Sequence, residues 1–291
     1  MLPKRSALLV AILVLSSSFT YAQAPEKAPE QPAIPVEEII KKFSEKEKLF
    51  AIARASYTYR QDVKVQELDG NDRVAGEYNT VSDIIFDGAG KRTEKVVFAP
   101  AVTLKRISMS AEDLQDLREI QPFVLTSDDV QKYNLKYTGK EKIDEIDCYA
   151  FDVGPKKMEK GQRYFEGKIW VDDEDLQIVK TYGKAVPDIR NGKGGGENLF
   201  PRFETYREQV DGKYWFPTYT RAVDTLQFSS GAVRMRQVIK YDKYKRFEAD
   251  VKLSFGDVVD ENGKSTGTAV LENKKAPALN KKAPEPTKKK P

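Results

Sequence analysis

From Ser56 onward the chain alternates apolar and polar side chains with a period of two, and no other feature limits its fold as strongly. Over 57–65 the odd positions are Tyr57, Tyr59, Gln61, Val63 and Val65, and the even ones are Thr58, Arg60, Asp62 and Lys64. Such a strand buries one face and wets the other, as in an antiparallel sheet covered on one side. Over 74–86 the even face carries Val74, Tyr78, Ile84 and Phe86, and Leu68-Asp69-Gly70-Asn71-Asp72 supplies the turn before it. Further strands are expected at 93–98, 133–143, 146–153, 163–171, 176–182, 202–210, 213–223, 226–228 and 232–247. Turns fall at 172–175, 211–212 and 229–231, and Asp211-Gly212 is the strongest hairpin signal in the chain.

A different period precedes the strands. Pro35 opens a segment in which Val36, Ile39, Ile40, Phe43 and Phe50 recur at helical spacing, with Lys and Glu opposite. That apolar stripe must lie on something. Ser110, followed by Glu112 and Asp113, caps a second helix running to about 119, and 126–130 reads as another helix start. The expected fold class is mainly β (α+β): one curved antiparallel sheet of roughly ten strands with a few helices on one face.

The two ends read differently. Residues 1–22 have the form of an export signal: Lys4 and Arg5, an apolar run of nine residues at 7–15, then Thr20-Tyr21-Ala22. The run is too short to span a bilayer, which takes ~18–20 residues. A cut after Ala24 would place Pro25 beside the scissile bond, so cleavage after Ala22 is favoured. Residues 23–35, with four prolines, read as an extended linker. Residues 256–291 read as a tail too polar to fold alone, with seven Lys, one Glu and four Pro gathered in 273–291. Its lysines suit either solubility or contact with an anionic membrane surface.

Charge and composition narrow the function. The whole chain carries +4, but once 1–22 and 273–291 are set aside, 40 bases face 44 acids. The body is slightly acidic, and no nucleic-acid partner is expected. There is no His, so Ser-His-Asp and Cys-His nucleophilic sites, His-ligated zinc and His acid–base catalysis are excluded. The lone Cys148 excludes an internal disulfide and, lying far from the signal, a lipid anchor at the cut. It is expected as a small buried apolar group. Asp172-Asp173-Glu174-Asp175 fits no calcium loop, and 191–198 (NGKGGGEN) lacks the phosphate-loop pattern. A solvated turn and a flexible loop are expected there, with no metal and no cofactor.

A family resemblance rests on two stretches. Tyr137-Thr138-Gly139-Lys140-Glu141-Lys142-Ile143 leads to Asp147-Cys148-Tyr149-Ala150-Phe151-Asp152-Val153. Then Tyr164-Phe165-Glu166-Gly167-Lys168-Ile169-Trp170-Val171-Asp172 runs through an acidic turn to Leu176-Gln177-Ile178-Val179-Lys180. Together they resemble the LolA/LolB-like outer-membrane lipoprotein-sorting superfamily, over roughly 36–255. The resemblance implies an incomplete β-barrel, with the N-terminal helix and short helices packed against its concave side, and an apolar cavity that takes acyl chains.

The side chains expected to face that cavity are Tyr57, Tyr59, Val63, Tyr78, Ile84, Phe86, Trp215, Tyr219, Met235, Ile239 and Tyr241. Sequence leaves open whether they enclose a ligand or simply fill a core. A carrier must release its cargo, so 36–54 or 110–119 is a candidate lid. The expected function is a monomeric, non-enzymatic periplasmic carrier, exported and soluble, binding lipid or the acyl chains of lipoproteins. The alternative is an envelope sensor or interaction module of the same fold, engaging a lipoprotein or an inner- or outer-membrane partner protein without transporting it.

Overall fold

The computed structural model describes residues 31–86, 91–188 and 199–246. The expected signal, most of the linker, the glycine-rich loop and the tail lie outside the described residues. Helix α1 (Val36–Arg54) begins after Pro35, as its sequence predicts, and carries Glu37 and Glu38 in its first turn. Their negative charge suits the positive end of the helix dipole.

Ten strands follow: β1 (Tyr57–Leu68), β2 (Val74–Phe86), β3 (Arg92–Phe98), β4 (Tyr133–Ile143), β5 (Ile146–Pro155), β6 (Tyr164–Asp172), β7 (Ile178–Val186), β8 (Phe203–Val210), β9 (Tyr214–Phe228) and β10 (Gly231–Arg246). They form one antiparallel sheet in the order β3-β2-β1-β10-β9-β8-β7-β6-β5-β4. The sheet does not close, and β3 and β4 are its edges.

Two expectations need correction. The separate strands at 213–223 and 226–228 are one strand, because Asp224 and Thr225 pair with Met235 and Arg234 and carry the ladder through. The start at 126–130 yields only a three-residue 3-10 turn at Val130–Lys132. The turn chemistry otherwise follows the sequence. Asp211 and Gly212 adopt φ of 55° and 62°, both in the left-handed region a tight hairpin needs. Asp172 Oδ1 accepts the N–H groups of Glu174 (2.7 Å) and Asp175 (3.1 Å), which makes the acidic run a self-bonded turn.

One close approach fixes two glycines. Gly167 of β6 sits opposite Gly183 of β7. A Cβ on Gly167 would overlap the Tyr182 carbonyl oxygen, and one on Gly183 would lie 2.8 Å from the Phe165 ring.

The core lies on the concave side. Ile39 and Phe43 of α1 pack with Tyr149, Phe151, Phe165, Ile169 and Val171 from the β5–β6 end of the sheet. Phe50 continues the stripe, meeting Phe216 edge-on at 5.0 Å, with Tyr57 4.7 Å from Phe216. A second cluster, Val63, Val65, Leu226, Met235, Ile239 and Tyr241, covers the β1–β10–β9 end. The convex face has its own small patch of Cys148, Ala150, Trp170 and Val179. Period-two alternation produces it, since these residues neighbour the inward-facing ones.

The connection between β3 and β4 has a topological task. It joins the two edges of the sheet, so 99–132 must cross the open concave side. On the way it forms α2 (Ala111–Gln115), capped by reciprocal Ser110–Asp113 hydrogen bonds of 3.1 and 2.8 Å, and continues as a π-helical turn at Asp116–Ile120.

Candidate ligand-binding site

Several attachments hold the crossing segment to the sheet, three of them beside the space beneath it. At its start, Glu67 Oε1 accepts the backbone N–H groups of Lys105 (2.9 Å), Arg106 (2.5 Å) and Ile107 (2.6 Å). Burial alone would raise this carboxyl, but the three donors outweigh it and hold the group below the usual glutamate range. In the middle, Arg163 grips Asp116 through Nε (2.9 Å) and Nη2 (2.5 Å), donates to the Pro187 carbonyl and lies 4.1 Å over the Phe200 ring. At its end, Gln121 accepts from Gln237 Nε2 (2.7 Å) through its side chain and from Thr205 Oγ1 (2.8 Å) through its carbonyl. The Thr205 hydroxyl in turn meets that of Thr220 at 2.8 Å.

Beneath this segment is a cavity of about 460 Å³. The sheet contributes Val65, Phe203, Leu226, Phe228 and Met235; the crossing segment contributes Ile107, Met109 and Leu117; Phe200 and Pro201 close one side. Its size lies within the ~300–1,000 Å³ of small-molecule sites, and a mostly apolar wall with a few convergent polar groups is their usual make-up. Its polar groups include Gln237 on the sheet, Gln121 of the crossing segment, Glu112 and Asp113 of α2, and Asp116 of the π-helical turn. Burial pushes the Asp113 and Asp116 carboxyls upward; Ser110 opposes it at the first and Arg163 at the second.

Of the eleven side chains expected from sequence, the structure brings only Met235 to this cavity. Tyr57, Val63, Ile84, Ile239 and Tyr241 are buried in the packed core. Tyr59 and Tyr78 pack against the second cluster, and Tyr59 stacks on Tyr244 at 5.2 Å. Phe86 lines a separate cavity near Arg54. Trp215 and Tyr219 belong to the other face: Phe216 and Thr220 point inward, so their odd-numbered neighbours point out. Trp215 accordingly packs with Cys148, Ala150, Trp170 and Val179, and its Nε1 donates to Asp175 at 3.1 Å.

Sequence reasoning missed Ile107, Met109, Leu117 and Phe200. The first two lie in a stretch with no period, and Phe200 follows the glycine-rich sequence 191–198. Leu114, Leu117 and Ile120 did carry a signal, an apolar repeat every three residues along one side of a short helix. Of the two lid candidates, 110–119 borders the cavity, whereas α1 has Ile39, Phe43 and Phe50 fully buried in the core.

Other chemistry is sparse. Cys148 is buried, its thiol pushed up to about 12 by burial first and by Asp172 second. Among the described residues, no group of three or more His, Cys, Asp or Glu is placed to hold a metal ion. No helix among them is long and apolar enough to cross a membrane.

No protein-family model matches the chain, and no curated protein matches it. Solved structures similar to it include a DUF1329 family protein from Desulfovibrio piger, at 15% identity and a TM-score of 0.35, covering 76% of this chain and 95% of that one. A LolA superfamily protein from Nitrosomonas europaea has the same identity and TM-score, with 75% and 96% covered. A MucA/MucB complex of Pseudomonas aeruginosa is similar at 12% identity and a TM-score of 0.21, with 70% and 99% covered. The superfamily that the sequence resembles is thus among them.

Proposed function

We propose that this protein is a periplasmic, non-enzymatic carrier that holds lipid or the acyl chains of lipoproteins in the cavity beneath the crossing segment. The observation that carries the reading is that cavity: about 460 Å³ of space walled by Val65, Met109, Leu117, Leu226 and Met235. Each methylene buried there contributes ~0.8 kcal/mol, so a chain of modest length offsets its ordering cost. The roof suits loading and release. Its α2 segment is five residues long with no buried residue of its own, and it is held at a few polar points. The domain layout belongs to the same proposal: signal 1–22, linker 23–35, half-barrel 36–255 and tail 256–291.

The test is titration of a fluorescent long-chain fatty acid into the protein and into Met109→Trp. Met109 is partly buried on the cavity wall, so the larger ring fills the space while sparing the packed core. Saturable binding weakened by roughly tenfold or more in the variant is expected. Equal binding by both proteins, or none by either, would count against the carrier.

An interaction module is the second reading, and one observation favours it. Edge strand β3 exposes Val96, Val97 and Phe98, and a free edge of this kind accepts an added strand from a partner. Capture of one membrane protein by an intact β3, lost in Val96→Lys, together with absence of bound acyl species, would favour it over the carrier.

A further inference from the structure

Arg54, in the last turn of α1, has no hydrogen bond or ion pair among the described residues. Its Nε is sealed from solvent without an acceptor. The guanidinium lies 5.9 Å from the ring centres of both Phe50 and Phe86. On the same Phe50 ring, at 5.2 Å, lies Arg207. The carboxylate nearby, Glu47, is already engaged by Arg207 Nη1 at 3.0 and 3.2 Å. Burial pushes the Arg54 pKa down, with Tyr59 opposing, yet arginine stays protonated in proteins. Glu47 is thus taken by Arg207, and the half-buried Arg54 guanidinium has no carboxylate bonded to it. A donor sealed from solvent, as Nε is, is costly unless something accepts from it.

The charge faces usable space. Arg54 lines a cavity of about 610 Å³ together with Phe86, Arg92, Arg118 and Val124. Arg92 is fixed by Glu94 (3.1 Å) and Gln61 (2.8 Å), and its Nε has no acceptor. Of the three carboxylates on the wall, Glu94 and Asp129 already have cationic partners, and Glu119 is exposed and bonded to a neutral amide. Glu94 takes Ser82 and Arg92, Asp129 takes Thr126 and Lys132, and Glu119 takes Gln115. Arg118 stands exposed at the rim.

We propose that this second cavity binds a phosphate group, seated against Arg54 and reached by Arg118. Phosphate offers several acceptor oxygens to guanidinium forks that diverge, whereas a carboxylate satisfies one fork. The crossing segment divides the two cavities, with Leu117 and Gln121 on the acyl side and Arg118 and Pro122 on this one. The proposal therefore stands independently of the carrier reading.

The experiment measures thermal stabilisation and calorimetric binding of the whole protein with inorganic phosphate and with dihexanoyl phosphatidate, against sodium chloride at matched ionic strength. Wild type should bind at least one of the two. Arg54→Met should keep or gain stability without ligand and lose binding by roughly tenfold or more. Arg118→Gln, an exposed change that leaves the core untouched, should weaken binding several-fold. Much tighter phosphatidate binding identifies a lipid headgroup as the source, and equal binding identifies free phosphate. Fatty-acid binding by Arg54→Met should stay at the wild-type level, which separates this site from the first cavity. The proposal is overturned if neither probe acts on wild type beyond chloride, or if both variants respond as wild type does.

Discussion

Glu47 and Arg207 form a sealed ion pair that joins helix α1 to strand β8 across 160 positions of sequence. The carboxylate also accepts the Ile178 N–H of β7 at 3.3 Å, and the guanidinium donates to the Phe123 carbonyl of the crossing segment. One pair therefore fastens the helix, two strands and the crossing chain. Removing one partner should destabilise the fold by ~3–5 kcal/mol, because the other charge is left buried and alone. Glu47→Leu combined with Arg207→Met should cost clearly less than the sum of the single changes. Urea unfolding of the three variants measures this, and additive losses would refute the coupling.

Glu67 makes the roof's attachment pH-dependent. Its folded pKa is depressed, so as pH falls the unfolded chain takes up the proton first. The stability it supplies is complete above the ordinary glutamate value of about 4.3 and is lost as pH drops through the lower folded value. Asp69, Asp83, Glu141 and Glu204 shift in the same direction, so the informative quantity is a difference. At pH 7, Glu67→Gln should be less stable than wild type by ~1–3 kcal/mol, the worth of charge-assisted hydrogen bonds. The two unfolding curves should converge in acid. A gap that stays constant down to pH 2 would remove the carboxylate from this role.

Cys148 should behave as a packing residue. Its side chain is fully buried, its Sγ lies 3.5 Å from the Ile146 carbonyl, and burial pushes its thiol up to about 12. A thiol-specific disulfide reagent at pH 8 should label the folded protein roughly a hundredfold more slowly than the urea-unfolded chain. Comparable rates would place the thiol at the surface.

The sheet was legible in the sequence because a half-buried strand writes its two faces into alternate residues, as β1 does from Tyr57 to Leu68. Helix α1 was legible by the same logic at a different period. The cavity was not. Its roof exists because β3 and β4 are opposite edges of one sheet, a fact of strand order to which no local pattern responds. Nor could periodicity alone separate filled core from empty space. Ile239 and Met235 share a face of β10, yet the first is packed and the second borders the cavity. Trp215 and Tyr219 share one parity on β9, and nothing local says which way it faces. The parity of β9, set by Phe216 against Phe50, turns them outward.

The carrier reading stands or falls on what occupies the cavity in the cell. Native mass spectrometry of the protein purified from its own envelope measures this directly. The expected result is a population heavier than the polypeptide by the mass of acyl-bearing species, absent from Met109→Trp prepared in the same way. A wild-type spectrum showing only the bare polypeptide, or the same adducts retained in Met109→Trp, would contradict the account.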